Sequence, residues 1–172
     1  MIPMHIEFFT YSSARRWGIR LDGSDLRVHA AEVTRPLWLL EKRFYERTPE
    51  DTENFLFRQY AGLTESDLRD PVRHFLGEAD DDFRHTPTGA TAVLGCSCGI
   101  WDCWPLFTSI TTTPETVAWS GFHQPHRPAW GELAMGPYVF PRPAYEEALT
   151  RVVHLPEDPL TALPPSGAVR GT

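Results

Sequence analysis

All three cysteines of the chain fall within eight consecutive positions, as Cys96, Cys98 and Cys103. If a strand continues through Cys98, the first two cysteines point to the same face, because side chains alternate along a strand. A tight turn over residues 99–102 then returns Cys103 to the side of Cys98. The spacing therefore predicts that three sulfur atoms converge on one hairpin.

Three converging thiolates form a set of ligands that zinc prefers. Zinc binds thiolate sulfur at about 2.3 Å in a tetrahedron, so the cysteines could supply three of its corners. His126, His123 or Asp102 could supply the fourth. The C-x-C-x4-C spacing differs from the usual pair of C-x2-C motifs. The candidate cofactor is zinc, and its candidate ligands are Cys96, Cys98, Cys103 and His126.

Two other interpretations of the cysteines stay open. In the first, one thiolate is a nucleophile: His126 and Arg127 lower the pKa of a cysteine, and a second cysteine resolves an oxidised intermediate. In the second, the cysteines only pack, since free cysteine behaves as a small hydrophobic side chain and is commonly buried. Gly95 and Gly99 would serve a tight hairpin in either case.

Residues 122–130 (FHQPHRPAW) carry a second set of polar groups at the end of a predicted strand, where functional residues often lie. An imidazole, an amide and a guanidinium held between prolines could bind a carboxylate or phosphate, which Arg127 would grip through two parallel hydrogen bonds. Alternatively, Gln124 and His126 bond the loop backbone, and Arg127 pairs with an acidic neighbour. The candidate ligand-binding residues are Gln124, Arg127 and His123.

The cysteine turn and this loop belong to a longer pattern. It comprises residues 93–99 (VLGCSCG), 103–106 (CWPL), 117–119 (VAW), 122–127 (FHQPHR), 136–140 (GPYVF) and Tyr145. In these motifs, the C-terminal half of the chain resembles a group of small bacterial proteins, found especially in actinobacteria, to which no activity is assigned. The resemblance implies that the three cysteines, Gln124, His126 and Arg127 belong to one module of hairpin, loop and helix.

Composition limits the class of protein and its partners. Apolar residues make up 41% and charged residues 23% of the 172 residues, which excludes collagen-like, coiled-coil and wholly disordered chains. The net charge is -7. Because nucleic acids and anionic membranes attract clustered lysine and arginine, neither is expected as a partner. We expect a small ligand or a protein instead.

The N-terminus gives no sign of export. Residues 1–9 (MIPMHIEFF) lack the basic start and small-residue cleavage site of a secretory signal, and no run of 18 apolar residues occurs. We therefore expect a cytoplasmic protein. In a reducing cytoplasm, cysteines are more often thiols or ligands than structural disulfides.

The first half of the chain is predicted to open with an aromatic-rich hairpin, over residues 5–11 and 17–21. A short helix follows from Leu26, with Asp25 as a candidate cap, until the proline at position 36 interrupts it. Residues 37–45 fit a helix and a buried strand equally well. A second helix begins at Thr48, and residues 67–88 resemble a solvated connection.

The second half is predicted to contain a three-stranded meander over residues 91–94, 104–112 and 116–122, then a loop and a helix from Pro141. The fold class is therefore α+β, a mainly antiparallel sheet flanked by two or three helices. It forms one domain over residues 1–154, followed by a Pro-rich flexible tail over 155–172. The expected function is a metal site of cysteine and histidine. The alternatives are an acidic partner-binding or immunity-type protein and a thiol-dependent enzyme.

Overall fold

A computed structural model describes residues 4–41, 47–85 and 88–163. It contains two sheets and several helices, so the predicted α+β class is confirmed. In the described ranges, no helix is both long enough and apolar enough to cross a membrane.

The first sheet is built on the predicted N-terminal hairpin. Its strands are β1 (Ile6–Tyr11), β2 (Arg16–Leu21), β3 (Ser24–Asp25) and β10 (Val153–Leu155), in the order β10-β1-β2-β3. Gly18 lies opposite Phe9, and a Cβ at that position would come within 2.2 Å of the phenyl ring. Only glycine therefore leaves room for Phe9 to lie across the hairpin.

The second sheet contains the predicted meander. Its strands are β4 (Tyr60–Ala61), β5 (Arg84–His85), β6 (Ala90–Cys96), β7 (Leu106–Thr112), β8 (Thr116–His123) and β9 (Tyr138–Pro141). The order is β4-β6-β7-β8-β9, and β5 also pairs with β6. All seven residues of β6 are buried, which explains why its sequence is apolar rather than alternating. The sequence placed β9 in a loop, but it pairs with β8.

Three helices correspond to the predicted ones: α1 (Leu26–Trp38), α2 (Pro49–Phe57) and α5 (Arg142–Thr150). Asp25 caps α1 and Thr48 caps α2, each by accepting a hydrogen bond from a backbone N–H of the first turn. The expected interruption at Pro36 is wrong, because α1 continues to Trp38. Burial of the whole Trp38 side chain offsets the hydrogen bond that proline cannot make.

The segment over residues 67–88 is more than the solvated connection that its polar sequence predicts. It contains the end of α3 (Glu65–Leu68), all of α4 (Pro71–Arg73) and further short turns. His74 and Phe75 are buried, and Nε2 of His74 donates a hydrogen bond to the carbonyl of Ala92 at 2.7 Å. Leu68, Ala79 and Phe83 of the same segment are also buried, but the buried positions are separated by polar residues and follow no regular period.

Aromatic rings from both sheets and α5 meet in the main core. Phe75 stacks on Trp17 and Trp119, and Phe8 packs edge-on against Tyr145. The indole N–H of Trp119 donates to the Tyr145 hydroxyl at 3.1 Å, which satisfies a buried polar group within the core.

The beginning of the predicted tail is packed against the body. Leu155 lies in β10, Asp158 pairs with Arg27, and Leu160 is buried. Residues 155–163 of the predicted tail thus contact the body through single side chains, which no periodic pattern in the sequence marks. Residues 164–172 lie outside the described residues.

Candidate functional site

The cysteine turn begins where β6 ends, at Cys96. Strand β4 pairs with this end of β6, and the N–H of Ser97 donates to the carbonyl of Gln59 at 3.0 Å. The chain then folds back, so that the N–H of Cys96 donates to the carbonyl of Trp101 at 3.2 Å. A Cβ at Gly95 would lie 2.8 Å from the Cβ of Trp101, so glycine permits this close approach.

The predicted convergence of the three sulfur atoms is confirmed. Those of Cys96, Cys98 and Cys103 all lie within 4.8 Å of one another. The sulfur atoms of Cys98 and Cys103 are 3.1 Å apart, and those of Cys96 and Cys98 lie at disulfide distance. The strand ends at Cys96, so the turn brings the sulfur atoms together and not, as predicted, the alternation of side chains along a strand.

The three cysteines differ in exposure. Cys96 is 2% exposed, Cys103 is half-buried and Cys98 is exposed. The N–H of Cys98 donates to the sulfur of Cys96 at 3.0 Å. The cluster therefore has a buried side fixed by β4 and a side that water and small reagents can reach.

The histidine loop meets the cysteine turn through one hydrogen bond. Nε2 of His126 donates to Oδ1 of Asp102 at 2.9 Å, and both side chains are about half exposed. Among the described residues, the group of close ligand atoms contains only the three cysteines. His123, His126 and Asp102, the predicted candidates for a fourth ligand, are not in it.

Arg127 is fixed by protein partners. Its Nε pairs with Glu41 at 2.7 Å, its Nη1 donates to Oε1 of Gln124 at 2.7 Å, and its guanidinium lies 4.1 Å from the ring centre of Trp38. Gln124 itself is 1% exposed. Of the alternative interpretation of this loop, the pairing of Arg127 with an acidic neighbour is observed. The expected backbone bonds of Gln124 and His126 are not observed among the described residues, because these side chains bond Arg127 and Asp102.

His123 packs beside His85, with the ring centres 5.3 Å apart, and not within the cysteine group. Its Nδ1 donates to the carbonyl of Gly121 at 2.9 Å, which leaves a lone pair on Nε2. That nitrogen is buried and has no hydrogen-bond partner in the described part of the chain.

An aromatic cluster that the sequence did not predict supports both segments. The ring of Trp38 packs edge-on against Phe55, Trp104 and Trp130. Trp104 follows Cys103, and Trp130 ends the histidine loop, so the cluster joins the two segments. Gln59 fixes it by accepting hydrogen bonds from the indoles of Trp38 and Trp104, each at 2.7 Å. Trp38 lies in the stretch whose structure the sequence left open.

Tyr60 lies between these groups, paired with Cys96 across β4 and β6. Burial raises the pKa of its hydroxyl, although Gln124 and Arg127 act in the opposite direction. Tyr60 is therefore neutral near pH 7 and acts here as a packed side chain and not as a base.

No protein-family model matches the chain, and no curated protein or solved structure shows a significant match to it. The residues of the site must therefore carry the functional argument.

Proposed function

We propose that the reduced cysteine turn binds one zinc ion through the thiolates of Cys96, Cys98 and Cys103. The observation that carries the proposal is the convergence of the three sulfur atoms within 4.8 Å. In a tetrahedral site with Zn–S bonds of about 2.3 Å, neighbouring sulfur atoms lie roughly 3.8 Å apart. The turn therefore needs only small side-chain movements to hold the ion.

The surroundings of Cys96 suit a metal thiolate. Its sulfur accepts a hydrogen bond from the N–H of Cys98 at 3.0 Å, the kind of contact that orients a ligand and stabilises its negative charge. Its backbone is held by the carbonyl of Trp101 and by pairing with β4. One ligand is thus rigid before an ion arrives, which lowers the entropic cost of binding.

The fourth position is assigned to water. His126 is bonded to Asp102 and lies outside the sulfur group, and Cys98 is exposed, so solvent has access to the turn. Zinc sites with three protein ligands and an open fourth position can activate water or bind a small ligand. The proposal therefore includes a reactive zinc site as well as a structural one.

Metal analysis of protein purified without an affinity tag, under reducing conditions and after incubation with zinc and gel filtration, tests the proposal. The expected result is about one zinc per chain. The Cys103→Ser variant should lose it, whereas Ser97→Ala, a matched change in the same turn, should retain it. Wild-type protein that holds no zinc, or a Cys103→Ser variant that holds as much as wild type, would overturn the assignment.

A second candidate function, thiol–disulfide exchange, is favoured by the presence of a third, free cysteine beside the pair of Cys96 and Cys98. Cys103 lies 3.1 Å from Cys98. As a thiolate, it would attack the sulfur of Cys98, form a new bond to it and release Cys96 as the thiolate, with no net change in electrons. Thiol labelling under denaturing conditions distinguishes the two functions. Protein that is purified without reductants should contain one free thiol per chain if the disulfide is present, and three if the cysteines form the reduced metal site.

The partner-binding interpretation stays a prediction. An acidic chain would favour a basic protein partner, and co-purification from the native host is its direct test.

A further inference from the structure

A cavity of about 470 Å³ adjoins the cysteine turn on the side of β4. It lies among the N-terminal hairpin, β4 and the segment after β10. The side chains that matter for its chemistry are those of Tyr11, Arg16, Arg27, Arg58, Ser97 and Asp158. Its volume lies within the range of pockets that bind small molecules, roughly 300–1,000 Å³.

The cavity concentrates positive charge in a protein whose net charge is -7. The charge of Arg27 is already offset, because the side chain is 2% exposed and pairs with both Asp25 and Asp158. Arg16 and Arg58 differ from it: within the described ranges both donate to backbone carbonyls, Arg58 also lies over the ring of Phe57, and neither forms an ion pair. These two guanidinium groups retain charge for a ligand.

Tyr11 provides a second, independent observation. Its hydroxyl oxygen accepts hydrogen bonds from the N–H of Gly62 at 2.7 Å and from Nη1 of Arg27 at 3.0 Å. Both partners can only donate, so the hydroxyl hydrogen remains to be given away. No acceptor for it occurs in the described part of the chain, although Tyr11 is only 2% exposed. A buried donor that lines a cavity and lacks an acceptor points to a ligand that supplies one.

One arginine of the cavity wall already binds a carboxylate of the protein. Nη1 and Nη2 of Arg27 donate to the two oxygens of Asp158, each at 2.9 Å. This is the parallel pair of hydrogen bonds that matches a guanidinium to a carboxylate or phosphate. An anion in the cavity would accept hydrogen bonds from the guanidinium N–H groups of Arg16 and Arg58.

We propose that this cavity binds a small organic anion, a carboxylate or a phosphate monoester, through Arg16, Arg58 and the hydroxyl of Tyr11. Ser97, which lies between Cys96 and Cys98, places the ligand next to the cysteine turn. The site rests on the cavity and its donors, so it does not depend on zinc.

Calorimetric titration of the full chain at low ionic strength tests the proposal, with inorganic phosphate, glucose 6-phosphate and succinate as probes. At least one probe should bind with a stoichiometry of one, and the two phosphates against succinate separate the two chemistries. Arg58→Gln should weaken that binding about tenfold, the usual size of one lost charge-assisted contact. No binding by any probe would overturn the proposal.

Two further variants test the role of charge. Arg73→Gln removes an exposed arginine that pairs with Glu78 and does not line the cavity, so it should leave the affinity unchanged. Asp158→Asn removes a carboxylate from the wall and one of the two partners of Arg27, so it should tighten binding severalfold. Equal weakening by Arg58→Gln and Arg73→Gln would show nonspecific attraction and overturn the site.

A third variant separates this site from the proposed zinc site. Cys98→Ser should lose zinc but bind the anion as wild type does. Circular dichroism melting of each variant checks that it folds. Arg58 is exposed and, in the described part of the chain, its side chain donates only to two carbonyls of the segment after β10, so the sheets and helices should stay intact in Arg58→Gln.

Discussion

The cysteine turn and the histidine loop lie side by side, and both carry residue types that can do chemistry. They differ in how completely the protein itself provides partners for those residues. In the loop, Arg127 is fixed by Glu41 and Gln124 and stacks on Trp38. In the turn, the sulfur atoms of Cys98 and Cys103 are 3.1 Å apart near solvent, and among the described residues neither forms an ion pair or a ring contact. The difference teaches that a polar group is available for function only when the fold leaves its partners incomplete.

The largest effect is expected at Arg127. Arg127→Met should lower the free energy of unfolding by about 3 kcal/mol, because a mostly buried ion pair with Glu41 and the hydrogen bond to Gln124 are both lost. Urea denaturation measures the change, and Arg73→Met, at an exposed ion pair, is the matched control. A loss no larger than that of the control would mean that Arg127 is free to bind a ligand and would remove the contrast between loop and turn.

The loop illustrates where sequence reasoning reached its limit. The sequence identified Gln124, His126 and Arg127 as a group, but the choice between ligand binding and internal pairing depended on Glu41, 86 residues away along the chain. No local pattern encodes such a contact. The position of Trp38 under the guanidinium was equally hidden, because its segment fitted helix and strand alike.

The elements themselves were predictable wherever apolar residues form a continuous run or recur with a regular period. The strands of the first hairpin and β6 are aromatic-rich or apolar runs, whereas α5 has the helical period. The convergence of the cysteines was predictable because the short spacing around Gly99 favours a tight turn that returns Cys103 to the side of Cys98. By contrast, β4, which backs Cys96, has two residues, too few to show a period. The fourth ligand depends on side-chain orientation across two loops.

His74 lies outside the turn and the loop, but as a buried histidine it can be compared with the half-exposed His126 of the loop. Burial lowers the pKa of His74 to about 4, against 6.5 in the unfolded chain. Between these values the unfolded chain binds the proton first, so stability should fall as the pH drops from 6.5 towards 4. The free energy of unfolding should fall by about 2 kcal/mol over this range.

Urea denaturation across this pH range measures the effect. His74→Gln should flatten the dependence, whereas His126→Ala, at a half-exposed position, should leave it in place. A profile of wild type that is already flat would show that His74 is not held neutral by the core.

In the cysteine turn, zinc binding should stabilise the protein. For reduced wild-type protein, free zinc at ten times its Kd should raise the free energy of unfolding by about 1.4 kcal/mol. Cys98→Ser should abolish this gain and cost little without metal, because the side chain is exposed. Ser97→Ala, at the next position, should keep the gain in full. Equal stabilisation of wild type and Cys98→Ser would place the ion elsewhere.

The smallest effect is expected at His126, and it decides whether the loop contributes a ligand at all. His126→Ala breaks a hydrogen bond between two half-exposed side chains, so the free energy of unfolding should change by about 0.3 kcal/mol. Because water is assigned as the fourth ligand, zinc content should stay at one per chain and the Kd should change less than threefold. If His126→Ala instead loses the metal while Asp102→Asn keeps it, the imidazole must leave Asp102 to bind zinc. The turn and the loop would then form one metal site and not two regions with different roles.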